Sequence, residues 1–236
     1  MALILNIETT TDNCSVSLAR DGNLTGIKEQ REGRLHAALL TSFIEELMNE
    51  ANLAFTELDA VSISKGPGSY TGLRIGVSAA KGICYAINIP LVAVHTLQAM
   101  TNQVVHDLHA FRLDYPANTL RLIPMIDARR MEVYSAVFDT DNNFVSDVQA
   151  EVLHENLYDE LLNAYKGVFF GSGSEKFQEI VHHKNALFLK DIIPTSKSMI
   201  SISEGKFHDK DFEDVAYFEP FYLKEFITTI PRKKLW

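Results

Sequence analysis

Two carboxylates in this 236-residue chain stand where an open α/β sheet places its chemistry, at the carboxyl end of an apolar strand. Glu8 closes the run Leu3–Ile7 and is followed by Thr9, Thr10 and Thr11. An acid with adjacent hydroxyls can hold a magnesium–phosphate group through water. Glu8, Thr9 and Thr10 are therefore candidate nucleotide or magnesium contacts. The plain alternative is a turn whose hydroxyls satisfy backbone groups. Asp127 closes Leu122–Ile126 in the same way. The most distinctive stretch is Lys65-Gly-Pro-Gly-Ser-Tyr-Thr-Gly-Leu-Arg74. It follows an apolar run and opens a helical pattern, so its backbone N–H groups could face an anion. It lacks the Gly-Lys-Ser/Thr ending of a Walker A loop. Ser69 or Thr71 can cap the helix, and Pro67 between two glycines enforces a tight turn.

No other grouping points to catalysis. His36 and His95 start helices, and His106 and His109 lie three residues apart with no acid or cysteine to complete a metal site. His182 and His183 diverge on a helix. No order of Ser, His and Asp supports a triad. The expectation is no catalytic residue and no bound metal.

The residues around these groups read as alternating elements. Leu3–Ile7 is a first strand and Cys14–Arg20 a second; Asp21-Gly22-Asn23 is a hairpin signal, and Leu24–Glu29 returns. Leu40, Phe43, Ile44, Leu47, Met48 and Ala51 recur at helical spacing. A strand at Ala60–Ser64, a helix at about Thr71–Asn88, a strand at Leu91–Val94 and a helix marked by Leu97, Met100, Val104, Leu108 and Phe111 follow. The opening then recurs. Asp127 follows Glu8 by 119 residues, and Asp141-Asn142 follows Asp21-Gly22 by 120. In this second copy Glu132–Phe138 alternates, Phe144–Gln149 returns, Leu153–Tyr165 is helical and Gly167–Phe170 is a strand. A near-constant offset indicates duplication. Three hairpin-linked strands followed by alternating helices and strands give a mixed sheet with helices on its faces. The expected fold is a duplicated actin-like (ribonuclease-H-like) α/β fold, with lobes at 1–116 and 117–236 and a hinge near Asp114–Thr119.

The helix from Thr71 is rich in small residues: Gly72, Gly76, Ala79, Ala80 and Gly82. Glycine inside a helix costs about 1 kcal/mol relative to alanine, which points to close approach by another backbone. The chain's own sheet and a second subunit both remain open as that neighbour. Net charge is −9, so any RNA contact is expected mainly through a partner, because phosphate-gripping surfaces are basic. Two cysteines with no framework spacing indicate a reducing, cytoplasmic location, and no apolar run approaches a membrane span. The tail at 231–236 is basic.

Several stretches together resemble the TsaB family: Ile7-Glu-Thr-Thr10, His36–Leu40, Gly66–Gly76, Ile126-Asp-Ala-Arg-Arg-Met-Glu-Val-Tyr134 and Glu219-Pro-Phe-Tyr-Leu-Lys224. The resemblance is strong over about residues 3–138 and thin between about 150 and 212. It implies a non-catalytic subunit that supports TsaD, the enzyme forming N6-threonylcarbamoyladenosine beside the anticodon of tRNA. It further implies a TsaE-type ATPase as partner. A homodimer is expected when the chain is alone, because an exposed close-packing face rarely stays bare. No cofactor is held stably, with ATP or ADP and magnesium confined to the interface with partners. The small-residue helix becomes the subunit interface, through Thr71, Gly72, Arg74, Gly76, Ala79, Ala80 and Ile83. The two metal-binding histidines of TsaD fall on Thr96 and Met100, which are poor ligands for a hard or borderline metal. Glu8 departs from the family's usual Asp and weakens a direct nucleotide role. The competing function is an actin-like phosphotransferase acting on a sugar or acyl group, for which Glu8-Thr-Thr-Thr lacks a glycine. A metallopeptidase would need a bound metal.

Overall fold

The computed structural model describes residues 2–31, 36–106 and 108–224. The side chain of His36 and the basic tail at 231–236 lie outside the described residues. The first half runs β1 (Leu3–Glu8), β2 (Cys14–Arg20), β3 (Asn23–Gln30), α1 (His36–Glu50), β4 (Ala60–Gly66), α2 (Tyr70–Ile87), β5 (Leu91–His95) and α3 (Thr96–Val105). The second half runs β6 (Leu120–Asp127), β7 (Glu132–Ser135), β8 (Gln149–Val152), α4 (Asp159–Ala164), β9 (Lys166–Phe170), α5 (Ser174–Gln178) and β10 (Ala186–Leu189). A 3-10 turn, Ser196–Met199, then leads into α6 (Ile200–His208).

Both halves build the same sheet. The first has the order β3-β2-β1-β4-β5 and the second, read from its other edge, β8-β7-β6-β9-β10. In each the central strand is antiparallel to the strand after it and parallel to the next. The expected duplication is present, as two mixed five-stranded α/β sheets of one topology. The β2–β3 turn places Asp21 and Gly22 at φ 50° and 72°, the left-handed pair that a two-residue hairpin requires.

Alternation along the strands sorts the side chains onto two faces. In the first sheet Leu5, Ile7, Val16, Leu18, Val61 and Ile63 pack on α1 and α2. The opposite face carries Asn6, Glu8, Ser15, Ser17, Ser62 and Ser64, all fully buried. The chain returns late to cover it. Ser196 pairs with Ser15 at 2.8 Å, Ser203 donates to Asn6 Oδ1 at 2.7 Å, and Asn13 Nδ2 donates to the Pro194 carbonyl at 2.9 Å. Met199, Ile202 and Phe207 complete the cover beside Ile4, Val92 and Val94. In the second sheet Leu122, Phe138, Val168 and Phe170 pack on Leu97, Met100 and Val104 of α3. Thus, among the described residues, all strands after residue 117 belong to the second sheet, whereas α6 packs on the first and α3 lies between the two, against β6 on one side and β4 and β5 on the other.

Several expected boundaries move. Helix α3 ends at Val105, and Leu108 and Phe111 reach the second core from turns that include Arg112 at φ 56°. Strand β7 stops at Ser135, although Phe138 exchanges both backbone bonds with Leu122, at 2.8 and 2.9 Å, in the same register. Pro124, opposite Ala136, has no N–H to give, so the ladder is interrupted there. The return strand is Gln149–Val152, not Phe144–Gln149. The N–H groups of Val145 and Ser146 both reach the Val137 carbonyl, at 2.7 and 3.2 Å, and Ser146 Oγ takes the Val137 N–H. This bulge shifts the pairing. Leu153 still pairs as strand backbone with Met131, so α4 is shorter than its apolar pattern suggests. Cys14 and Cys84 are both free and buried. No helix among the described residues is long and apolar enough to cross a membrane.

Candidate partner-binding surface

The Gly-Pro-Gly-Ser-Tyr-Thr-Gly segment lies directly on the end of β1. Ser69 N donates to the Thr10 carbonyl at 2.6 Å, and Thr9 Oγ1 donates to the Gly72 carbonyl at 2.8 Å. Ser69 Oγ accepts from Gly72 N at 3.3 Å as the N-cap of α2. The approach is closer than any side chain would permit. A Cβ on Gly68 would stand 2.4 Å from the Thr10 carbonyl oxygen, one on Gly72 2.0 Å from that of Thr9, and one on Gly76 2.3 Å from Thr9 Oγ1.

Glu8, Thr9 and Thr10 are consequently sealed, with exposures of 0%, 0% and 1%. Glu8 Oε1 accepts from the Thr10 N–H at 2.6 Å and from its hydroxyl at 2.5 Å. Burial pushes the Glu8 carboxyl above the usual range, although the hydroxyls of Ser64 and Thr10 and the N–H groups of Thr10 and Thr9 pull the other way. These three residues were expected to offer oxygens to a nucleotide or magnesium; here Glu8 Oε1 is engaged by Thr10, Thr9 Oγ1 by Gly72, and Glu8 Oε2 is closed off without a hydrogen-bond partner among the described residues. Asp127 keeps an exposed site. It accepts from Lys176 Nζ at 2.5 Å and from the Arg129 N–H at 2.6 Å, holding a turn in which Arg129 and Arg130 have φ 69° and 51°.

The interface expectation is corrected in part. Gly72, Gly76 and Ala80 face inward, against Thr9 and the first core. Their smallness answers to the chain's own sheet. Thr71 and Arg74 are exposed, and Ala79 and Ile83 are half-buried along the helix flank. Thr71, Arg74, Ser78, Gly82 and Tyr85 form one outward stripe at helical spacing. A Cβ on Gly82 would meet nothing within 4 Å, and Tyr85 is 86% exposed. Tyr85 was recoverable from the sequence as an aromatic on the polar side of an amphipathic helix.

A strap formed by residues 213–224 extends this surface. Glu213 bonds to the Leu91 carbonyl on the sheet edge at 2.8 Å, and Lys81 Nζ of α2 holds the carbonyls of Ala216 and Phe218, each at 3.0 Å. Phe218 enters the first core, and Tyr217 between the two anchored residues is 84% exposed. Farther on, Phe221 N donates to the Lys65 carbonyl at 2.7 Å, and Tyr222 lies 5.1 Å from the Tyr70 ring. Lys224 pairs with Glu132 of the second lobe. The motif segments Gly66–Gly76, Ile126–Tyr134 and Glu219–Lys224 therefore meet at one seam. His95 sits in it, edge-on to Phe144 at 5.3 Å and to Phe221 at 5.5 Å. Burial lowers its pKa to about 4, with Lys65 and Lys206 adding to the effect.

Thr96 is fully buried and its hydroxyl pairs with Ser64 Oγ at 2.8 Å, while Met100 is sealed in the second core. Among the described residues no group of three His, Cys, Asp or Glu side chains is arranged to hold a metal.

Comparison with known proteins places this geometry. The family described as TsaD, tRNA N6-adenosine threonylcarbamoyltransferase, matches residues 20–180. The protein named tRNA N6-adenosine threonylcarbamoyltransferase from Bacillus anthracis is 34% identical over 109 residues, covering 39% of this chain and 32% of that protein. The similarity to proteins named tRNA threonylcarbamoyladenosine biosynthesis protein TsaB runs nearly end to end. The Escherichia coli K12 protein is 28% identical over 228 residues, covering 94% of each chain. That of Buchnera aphidicola is 30% identical over 202 residues, covering 81% of this chain and 87% of its own. The solved structure of YeaZ from Pseudomonas aeruginosa has the same fold, with a TM-score of 0.78 at 23% identity over 94% of this chain and all of that one. Within the group that the TsaD family describes, the chain belongs to the TsaB family.

Proposed function

We propose that the chain acts in forming N6-threonylcarbamoyladenosine next to the anticodon of tRNA, as a non-catalytic subunit that docks a TsaD homologue. The observation that carries this reading is the outward stripe of α2. Thr71, Arg74, Ser78 and Gly82 give a small, polar track that lets a second helix approach closely, flanked by Ala79 and Ile83. Tyr85 and the strap's Tyr217 supply exposed aromatic anchors beside it, the residue type that dominates interface energetics. A non-catalytic role fits the burial of Thr96 and Met100 at the positions of the TsaD metal ligands. It also fits the closure of the Glu8 end of β1, which gives a phosphotransferase no access to its phosphates. On this reading a TsaE-type ATPase joins the assembly, and any ATP or ADP with magnesium is held where the subunits meet. The acidic chain leaves most of the tRNA contact to its partners, and the α2 stripe pairs two copies when TsaD is absent.

The test is reconstitution with the TsaD homologue, scored by tRNA modification and co-elution. Gly82→Leu and Tyr85→Glu change only exposed positions, so each is expected to fold normally and to abolish pairing and modification. Modification of tRNA by this chain alone, or normal pairing by both variants, would sink the proposal. Gly76→Leu is no test of the interface, because it strikes Thr9 and Ile63 inside the fold.

A further inference from the structure

Residues 214–218 of the strap form a single closed turn. The Asp214 carbonyl accepts from Phe218 N at 2.8 Å, and Asp214 Oδ1 accepts from the N–H groups of Ala216 and Tyr217 at 2.8 and 3.2 Å. At the other end Lys81 Nζ reaches across from α2 and donates to the carbonyls of Ala216 and Phe218, both at 3.0 Å. The turn thus has an acid where its N–H groups emerge and a cation where its carbonyls emerge, the two kinds of cap that helix ends use. A lone turn needs them, because it fixes several dihedrals for one backbone bond. Phe218 enters the first core, but that plug fixes one residue and leaves those before it to the caps. The strap on either side is attached separately, by Glu213 N to the Leu91 carbonyl and by Phe221 N to the Lys65 carbonyl. What the caps add is a fixed backbone at Ala216 and Tyr217, and Tyr217 is 84% exposed. A residue that wet contributes little to the fold, so aiming it serves something outside the chain. Tyr85, 86% exposed, lies one helical turn beyond Lys81 on α2. The two exposed tyrosines of this surface therefore flank one lysine.

We infer that Lys81 is a positioning residue for partner docking: its ammonium, with Asp214 at the opposite end of the turn, holds Tyr217 in place as an anchor for the TsaD homologue. The inference rests on the docking role proposed for α2 and deepens it by naming the group that pre-sets one of its anchors. An anchor ordered before contact spares the complex the cost of ordering a loose side chain and its turn. Lys81 acts through Tyr217, so its contribution to binding exists only while Tyr217 is there to be held.

The test is a double-substitution cycle on binding to the TsaD homologue, read by titration calorimetry, together with amide relaxation of the free, isotope-labelled full chain. In the wild type the Tyr217 amide is expected to have an order parameter of about 0.85, falling below about 0.6 in Lys81→Met. Lys81→Met keeps the aliphatic stem and is expected to weaken binding about tenfold. In a chain that already carries Tyr217→Ala the same change is expected to have little effect, because the positioned residue is gone. Asp214 is exposed, and Asp214→Ala opens the same turn from its other end, so it is expected to reproduce both effects. A Lys81 effect of equal size with and without Tyr217 would overturn the inference, since it would mean direct contact with the partner or a general role in the fold. A Tyr217 amide equally rigid in Lys81→Met, or binding unchanged by both Lys81→Met and Asp214→Ala, would overturn it too. No binding by the wild-type chain would overturn the docking role itself and the inference with it, whereas wild-type binding without the coupling overturns the inference alone.

Discussion

The two sheets share one topology and differ in what they bury. The α3-facing side of the second sheet is hydrocarbon: Leu120, Leu122, Ile126, Phe138, Val168 and Phe170. The corresponding side of the first sheet sets Asn6, Glu8, Ser15, Ser17, Ser62 and Ser64 among Ile4, Ala60, Val92 and Val94. An apolar face gains from any well-fitting cover. A polar face gains only if each group finds a partner, and the segment from Pro194 to Ser203 supplies several. The matching is incomplete, since Glu8 Oε2, Ser17 Oγ and Ser62 Oγ are buried without a hydrogen-bond partner. Duplication therefore fixes strand order without fixing chemistry. On this side the second sheet is held by packing alone, the first by packing together with a sparse set of directional bonds.

Paired substitutions on the two faces would break this contrast if it is mistaken. Phe138 is fully buried and lies 4.4 Å, centroid to centroid, from Phe144. Phe138→Ala is expected to destabilise the chain by about 4 kcal/mol in denaturant titration. Ser62→Ala removes an unpartnered hydroxyl and is expected to be neutral or stabilising by up to about 1 kcal/mol. Comparable losses at both positions would mean that the two faces are held in the same way.

The seam between the lobes responds to acid. His95 has its pKa lowered from 6.5 to about 4, so the folded chain favours the neutral ring. The stability this contributes is full above pH 6.5 and is lost as pH falls toward 4. Measured as the difference between wild type and His95→Gln, the loss is expected to reach up to about 3 kcal/mol. A flat difference across that window would place His95 outside the closed seam.

Glu8 responds with the opposite sign. Its carboxyl is raised above 4.5 by burial, so the folded chain favours the neutral acid. The associated stability is full below pH 4.5 and declines as pH rises through the folded value. Glu8→Gln is expected to melt above wild type at neutral pH, the gap closing toward pH 4.5. A wild-type advantage at neutral pH would show that the ionised form is the one the site holds.

The architecture was legible in the sequence because its signals are local and repeated. The strand-terminal acids Glu8 and Asp127 and the turns at Asp21-Gly22 and Asp141-Asn142 keep nearly one offset, and both sheets follow from it. What escaped depends on distant partners. The direction of Gly72 and Gly76 could not be read from composition, because an inward and an outward glycine look alike until Thr9 is known to lie beneath them. The missing N–H of Pro124 and the bulge at Val145 and Ser146 moved β8, where alternation alone predicts an earlier strand. Strand β10 and helix α6 have short or weak periodicity, and the turn before α6 and α6 itself show their place only through the serines they bring to Ser15 and Asn6.

That late return has a consequence for synthesis. The first sheet begins at Leu3, yet the residues that satisfy its polar face lie at 194–203 and its edge is joined at Glu213. A ribosome that has completed all five strands of this sheet has still to make the segment that seals it. Until then the nascent chain exposes a serine-lined face and an unjoined strand edge, the kind of surface that invites mispairing. The second half, whose hydrocarbon core closes within residues 97–192, can therefore consolidate first, and the end of the chain to be made first is the last to be locked.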